Sequence, residues 1–258
     1  MSDRVRHERD GDLALVTLAD PPLNLFDREL VTELSEAIDA AAAGQPRALA
    51  VRAEGKVFTG GVDVKVFHGL SEPDARGFAV ELLELSHRIE DLPFPTVAVV
   101  HGLCLTAGFE LALACDTIWA GESAQFGLVE AVVGVTPFMG GTQRVAERAG
   151  PARARELVMT GDLYPAQTLE RWNVVNRVVG DSELEEKAMA FAQRLASGPT
   201  RAHVATKRIV RTQTDEGTRA ADAATPEIAA ALFDTEDLKE AVKTFLSEGP
   251  GKATFSGR

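Results

Sequence analysis

Two glutamates, Glu110 and Glu130, lie beside glycine-bearing turns in apolar surroundings. Glu110 falls within His101–Asp116, a segment that passes from an apolar strand through small residues at 106–108 into an apolar helix. A carboxylate that leaves water without a partner is costly to bury and usually has a raised pKa. Glu110 is therefore either a structural hydrogen-bonding residue or a proton-transfer group, and this segment alone leaves both interpretations open.

The turns next to these glutamates are suited to a developing negative charge. A helix that begins at 106–108 would present free N–H groups and the positive end of its dipole. A second turn, in the loop 54–63, contains Gly60 and Gly61, whose lack of a side chain permits close approach of a ligand. The sequence thus predicts two places where backbone amides can meet a small polar group.

Charge and hydropathy restrict the partners and the compartment. The chain has 258 residues and a formal net charge of −12, which argues against a nucleic-acid surface because phosphate binding requires clustered basic residues. The segment Met1–His7 has no apolar signal core, and no stretch approaches the roughly 18 apolar residues of a membrane span. We therefore expect a cytoplasmic protein with no membrane partner.

Other catalytic chemistries have weaker support. Cys104 and Cys115 lie in apolar surroundings and outside any CxxC pattern, so we expect two core thiols. Thiol hydrolysis by Cys104, with His101 three residues earlier, is an alternative that lacks a nucleophile turn. The five histidines show no metal-ligand spacing, and no metal site is predicted.

The elements that would position the glutamates form an α/β chain. Strands are predicted over 13–18, 48–52, 95–100, 117–120 and 174–179, and the segment 124–130 is predicted to be a strand followed by a loop that holds Glu130. Helices are predicted from Asp27 to about Gly44, from Pro73 to Asp91, and over 152–159, 165–172 and 182–197. Beyond Thr200 the chain is predicted to be helical, with caps at Thr200, Pro226 and Asp234. We expect a catalytic core over 1–197 and a helical region over 198–258.

Four stretches, taken together and in order, resemble the crotonase superfamily, which is the enoyl-CoA hydratase/isomerase family. They are Phe58–Lys65, His101–Asp116, Phe126–Arg144 with its Gly-Gly-Thr-Gln-Arg ending, and Thr254–Arg258. The resemblance implies a crotonase-like spiral of ββα units with a C-terminal helical trimerisation region. It also implies an acyl-CoA substrate, assembly into a homotrimer or homohexamer, and no separate cofactor, because coenzyme A is part of the substrate.

The resemblance assigns roles to individual residues. The oxyanion hole falls on the backbone amides of Val62 and Ala107, and the pair of catalytic carboxylates falls on Glu110 and Glu130. The expected substrate-binding residues are Gly60, Gly61, Asp63, Val64, Lys65, Gly108 and Phe138. Near the C-terminus, Lys252 and Phe255 are either cover for the nucleotide or ordinary surface residues.

The chain departs from the family pattern at three places. Thr106-Ala107-Gly108 replaces a run of three glycines, Leu128-Val129 replaces Gln-Pro, and Phe138-Met139 replaces a small pair. These changes alter the shape of the pocket, so the acyl chain cannot be copied from the family. With both carboxylates present, the expected activity is hydration of a trans-2-enoyl-CoA. A double-bond isomerase and a non-catalytic acyl-CoA-binding protein are the alternatives.

Overall fold

The computed structural model describes residues 4–258, so the first three residues of the N-terminal segment discussed above lie outside it. Its strands are β1 (Val5–Asp10), β2 (Leu13–Leu18), β3 (Ala48–Ala53), β4 (Thr96–Val100), β5 (Leu103–Leu105), β6 (Thr117–Gly121), β7 (Gln125–Gly127), β8 (Tyr164–Pro165) and β9 (Arg177–Val179). Its helices are α1 (Arg28–Ala43), α2 (Glu72–Glu90), α3 (Ala107–Ala114), α4 (Gly141–Ala149), α5 (Pro151–Thr160), α6 (Ala166–Arg171), α7 (Leu184–Ala196), α8 (Thr200–Glu216), α9 (Thr218–Ala230) and α10 (Glu236–Glu248).

Six strands form the main sheet, in the order β1-β2-β3-β4-β6-β9. Only β1 is antiparallel to its neighbour, and the other pairs are parallel. One face of the sheet packs on α7, where Leu13 and Leu15 meet Ala188. The alternate residues Ala14 and Val16 enter the main core on the other face. Because both faces are covered, β2 and β4 are apolar without alternation, as the sequence predicted for the strand before Glu110.

A smaller sheet, β5-β7-β8, brings the site segments together. Leu105 at the end of β5 pairs with Gly127 at the end of β7. Thr59 forms a bridge with Cys104 of β5, which fixes the loop 54–63 against the same sheet. The beginning of α3, the glycine loop and the turn after β7 therefore meet at one edge. The strands β1, β5 and β8 have no counterpart among the strands predicted from the sequence.

The boundaries of α1 agree with the sequence prediction, and those of α2 lie within one residue of the predicted Pro73 and Asp91. The carboxylate of Asp27 accepts a hydrogen bond from the Leu30 amide, and Gly44 closes the other end of α1. Helix α2 has 19 residues and is capped by Ser71.

The caps predicted beyond residue 199 are wrong. Pro199 precedes α8, and Thr200 is already helical. Pro226 lies inside α9. Asp234 belongs to a 3-10 turn, so the extended backbone that a cap requires is first reached at Thr235, whose hydroxyl accepts from the Leu238 amide at 3.2 Å.

The C-terminal helices leave much of their apolar surface uncovered. Helix α8 packs mainly on α9, and a cleft of about 1160 Å³ separates α8 from the core. Five large apolar side chains are more than half exposed, namely Val210, Phe233, Val242, Phe245 and Leu246. Among the helices of residues 4–258, none has both the length and the apolarity needed to cross a membrane.

Candidate active site

A buried asparagine shapes the glycine loop. Asn24 has a left-handed backbone (φ 48°) and is fully buried. Its side-chain amide donates to three carbonyl oxygens of the loop 54–63, at 3.0–3.1 Å. The Thr59 hydroxyl donates to the carbonyl of Asn24 and accepts from the Gly61 amide, both at 2.8 Å. These bonds hold Gly61 and Val62 at the edge of the smaller sheet.

The second turn lies directly against this loop. At Gly108 an added Cβ would come within 1.7 Å of the Thr59 Cγ2, so only glycine lets α3 approach the loop this closely. The Thr106 amide donates to the carbonyl of Gly127 at 2.9 Å and thereby ties the same turn to β7. Tertiary packing thus joins two segments that are far apart in the chain.

The two predicted oxyanion donors differ in their hydrogen bonding. Among residues 4–258, the Ala107 amide has no hydrogen-bond acceptor. The Val62 amide, by contrast, donates to the Thr106 hydroxyl oxygen at 2.8 Å. This bond exists because threonine stands where the family pattern has glycine. The oxyanion role of both amides stays a prediction.

Glu110 is held by backbone amides near the beginning of α4. Only 1% of its surface is exposed, and its Oε1 accepts from the amides of Met139 (2.9 Å) and Gly141 (2.7 Å). The pKa of Glu110 is raised to about 8, chiefly by burial and then by the nearby charge of Glu130, while the hydrogen bonds from the Gly141 and Met139 amides and the charge of Arg144 act in the opposite direction. Glu110 is thus a carboxyl group that can hold a proton at neutral pH.

Glu130 begins the 3-10 turn Glu130–Val133 and is 6% exposed. Within residues 4–258 its buried Oε2 has no hydrogen-bond partner. Burial raises the pKa of Glu130 to about 7, while its own backbone amide acts in the opposite direction. Both glutamates are therefore buried with pKa values raised toward neutrality, and the acid and base roles predicted jointly for Glu110 and Glu130 stay a prediction.

Two of the other predicted substrate-binding residues, Phe138 and Lys65, differ in their surroundings. Phe138 adjoins Met139 and packs edge-on against Phe67, with ring centroids 6.0 Å apart. The Lys65 side chain is 88% exposed, and its Nζ lies 3.7 Å from the Asp63 carboxylate. Val64 is exposed, whereas Gly60 packs against Leu23 and Leu25, and these binding roles stay predictions.

The structure also shows what sequence reasoning missed or overstated. Asn24, Thr59 and Phe67 were not predicted to shape the site, although Thr59 lies within the predicted glycine loop 54–63. The thiol alternative is wrong, since Cys104 is fully buried and burial raises its thiol pKa well above the usual range. The His101 Nε2 lies 3.2 Å from the carbonyl of Gly55. Both cysteines are buried and free, as expected.

Comparison with known proteins agrees with the fold. Residues 8–257 match the family model described as enoyl-CoA hydratase/isomerase. A Rhizobium meliloti (strain 1021) protein named "Probable enoyl-CoA hydratase" is 34% identical over 97% of both chains. A Salmonella typhimurium (strain LT2) carnitinyl-CoA dehydratase is 38% identical over 82% of this chain and 81% of its own. The Geobacillus kaustophilus HTA426 structure described as "Enoyl-CoA Hydrates Subunit I" superposes with a TM-score of 0.93 at 32% identity, covering 99% of this chain and 98% of its own.

The fold and the site define a crotonase-type α/β protein. The chain belongs to the enoyl-CoA hydratase/isomerase family, which confirms the family and the fold class predicted from the sequence.

Proposed function

We propose that this protein is an enoyl-CoA hydratase that adds water across the double bond of a trans-2-enoyl-CoA. The observation that carries the proposal is the buried pair of Glu110 and Glu130, whose pKa values of about 8 and 7 lie close to neutral pH. General acid–base catalysis is most effective when the pKa of the catalytic group is near the working pH. Two carboxyl groups whose pKa values lie near neutrality suit a reaction in which one proton leaves water and another reaches carbon.

The chemistry follows from the positions of these groups. One carboxylate of the pair orients and deprotonates a water molecule that attacks the β-carbon of the enoyl thioester. The resulting enolate carries negative charge on the thioester oxygen, which the free Ala107 amide at the beginning of α3 stabilises. The pair then returns a proton to the α-carbon. Every step uses groups that lie at the same sheet edge.

The rest of the substrate needs two further contacts. Residues 60–65 form a continuous segment that passes through Val62 and leads to the surface. We assign the binding of coenzyme A to this segment, namely to Gly60, Gly61, Asp63, Val64 and Lys65. The exposed ammonium group of Lys65 suits the phosphates of the nucleotide. The coenzyme is part of the substrate, and the mechanism requires no separate cofactor.

The acyl chain is assigned to the region between the glutamates and an aromatic wall. Phe138 and Phe67 form this wall, and Gly108 provides the close backbone approach beside Ala107. Bulky aromatic side chains at this place restrict the length and branching of the acyl group. The names of the relatives fit this chemistry, because hydration and dehydration are one reaction run in opposite directions.

Single and double substitutions test the proposal. Glu110→Gln and Glu130→Gln keep the shape of the side chain but cannot exchange a proton, so each should slow hydration by roughly 10²–10⁴-fold. The double variant should lose much less than the product of the two effects, because both groups act on one water and one enolate. Glu84→Gln, an exposed position on α2, is the matched control and should keep full activity.

The same variants distinguish hydration from isomerisation. Full hydratase activity in Glu130→Gln would contradict the carboxylate-pair mechanism. A Glu130→Gln variant that loses hydration yet still moves the double bond would instead favour the isomerase. Tight binding of enoyl-CoA esters of graded length without any turnover would indicate a non-catalytic acyl-CoA-binding protein.

A further inference from the structure

Thr106 has a backbone conformation that threonine rarely adopts. Its φ of 46° and ψ of −124° lie outside the helical and extended regions. For a β-branched residue, a positive φ is a genuine outlier. Such strain persists only where the surrounding structure holds it in place, and it is concentrated at functional sites. The side chain of Thr106 therefore calls for a functional explanation that a glycine at this position would not.

The Thr106 hydroxyl is fixed between the two segments of the site. The residue is 7% exposed, and its Oγ1 accepts from the Val62 amide at 2.8 Å. The oxygen also lies against Gly61, where an added Cβ would come within 2.2 Å of it. The hydroxyl oxygen thus occupies the position in front of the Val62 amide that the sequence analysis reserved for a thioester oxygen.

Two hydrogen-bond donors remain unused on consecutive residues. A threonine hydroxyl is both an acceptor and a donor, and here only its acceptor capacity is used. Among residues 4–258, neither the Thr106 hydroxyl hydrogen nor the Ala107 amide has an acceptor. Both belong to the junction between β5 and α3, next to the buried Glu110.

We propose that the oxyanion site of this protein consists of the Thr106 hydroxyl and the Ala107 amide, with the Val62 amide acting through the hydroxyl. This proposal rests on the proposed function. The Val62 amide donates to Oγ1, and the hydroxyl donates its hydrogen to the thioester oxygen without giving up the proton. In such a chain each hydrogen bond polarises the next, which strengthens the terminal donor as charge develops on the enolate oxygen. Val62 is then a positioning residue, and Thr106 contacts the substrate directly.

Three substitutions at Thr106 separate its hydroxyl from its shape. Thr106→Ser keeps the hydroxyl and should retain most of the activity. Thr106→Val keeps the shape but removes the donor, so kcat should fall by roughly 10²–10³-fold with little change in KM. Thr106→Gly removes the backbone strain along with the hydroxyl, and it provides a folded variant should Thr106→Val fail to fold. We expect it to be less active than the wild type, because the thioester oxygen would meet the Val62 amide without the hydroxyl that this amide polarises.

Infrared spectroscopy of a bound thioester gives a readout that does not depend on turnover. The probe is butyryl-CoA labelled with ¹³C at the thioester carbonyl, whose stretching frequency falls as its hydrogen bonds strengthen. Wild type and Thr106→Ser should shift the carbonyl band to lower frequency. Thr106→Val and Thr106→Gly should bind the probe with a much smaller shift. Melting temperatures of all variants establish that each is folded.

Two results would overturn the proposal while leaving the hydratase assignment intact. One is a Thr106→Val variant with the wild-type kcat and carbonyl shift. The other is a Thr106→Gly variant that equals or exceeds the wild type, which would mean that the Val62 amide donates directly and the hydroxyl only blocks it. A wild-type protein that neither binds the probe nor hydrates enoyl-CoA esters would overturn the proposed function and this inference together.

Discussion

Replacement of Glu110 by glutamine should make the protein more stable than the wild type, and this difference in stability should grow as the pH rises. The folded state raises the pKa of Glu110 from 4.5 to about 8, chiefly through burial and then through the charge of Glu130. The folded chain therefore binds this proton more tightly than the unfolded chain does. The contribution to stability is fully present below pH 4.5 and is lost as the pH rises to about 8. Glutamine cannot ionise and should show no such loss.

The size of the effect follows from the two pKa values. A tenfold difference in proton affinity corresponds to about 1.4 kcal/mol, so the wild type should lose on the order of 4 kcal/mol relative to Glu110→Gln between pH 4.5 and 8. The glutamine Oε1 can still accept from the amides of Met139 and Gly141, so the packing at low pH should change little. A protein that gains stability when it loses a buried carboxylate is one that keeps the group for function.

Urea unfolding at several pH values measures this difference. The free energy of unfolding is determined for wild type, Glu110→Gln and the exposed control Glu84→Gln, all at one protein concentration because association would change the apparent stability. The gap between wild type and Glu110→Gln should widen from pH 5 to pH 8, while Glu84→Gln should follow wild type. Parallel curves for wild type and Glu110→Gln would refute the reasoning, because they would mean that Glu110 is already ionised at pH 5.

Three further substitutions test the positions of other groups. Gly108→Ala should abolish activity and lower the melting temperature, because the Cβ of the alanine would overlap the Thr59 side chain. Gly77 on α2 has open space around it, so the control variant Gly77→Ala should be tolerated or should stabilise the protein. Lys65→Ala should raise the KM for a CoA thioester without changing kcat. The KM for the corresponding pantetheine thioester, which lacks the nucleotide, should not change. An equal rise in KM for both substrates would contradict a nucleotide contact. Wild type should scatter light as a trimer or a dimer of trimers, and replacement of the exposed Phe245 by Asp should lower that mass. A stable wild-type monomer at micromolar concentration would contradict the predicted assembly.

The parts of the fold that could be predicted from the sequence are those determined by neighbouring residues, such as apolar runs and helix caps. The uninterrupted apolar run of β4 indicated a strand covered on both faces, and the Asp27 cap and Gly44 marked the two ends of α1. The small residues before Glu110 indicated where α3 begins. Each of these features depends on neighbouring residues, and a single sequence contains that information.

The parts that sequence could not predict depend on contacts between distant segments. The hydrogen bond from the Val62 amide to the Thr106 hydroxyl joins residues 44 positions apart, and it places this hydroxyl in front of the Val62 amide. The three bonds from Asn24 that shape the glycine loop cross a similar distance. The cap of α10 is Thr235 and not the predicted Asp234, because Asp234 belongs to the preceding 3-10 turn. Local propensity does not encode any of these arrangements.

Hydration in isotopically labelled water tests the central claim most directly. Wild-type protein is incubated with trans-2-enoyl-CoA esters of graded length in H₂¹⁸O at pH 7–8, close to the pKa values of Glu110 and Glu130. The products are identified by mass spectrometry. The account predicts a 3-hydroxyacyl-CoA that carries one ¹⁸O in its hydroxyl group and that Glu130→Gln forms far more slowly. A product with a shifted double bond and no ¹⁸O, or no product from any ester, would contradict it.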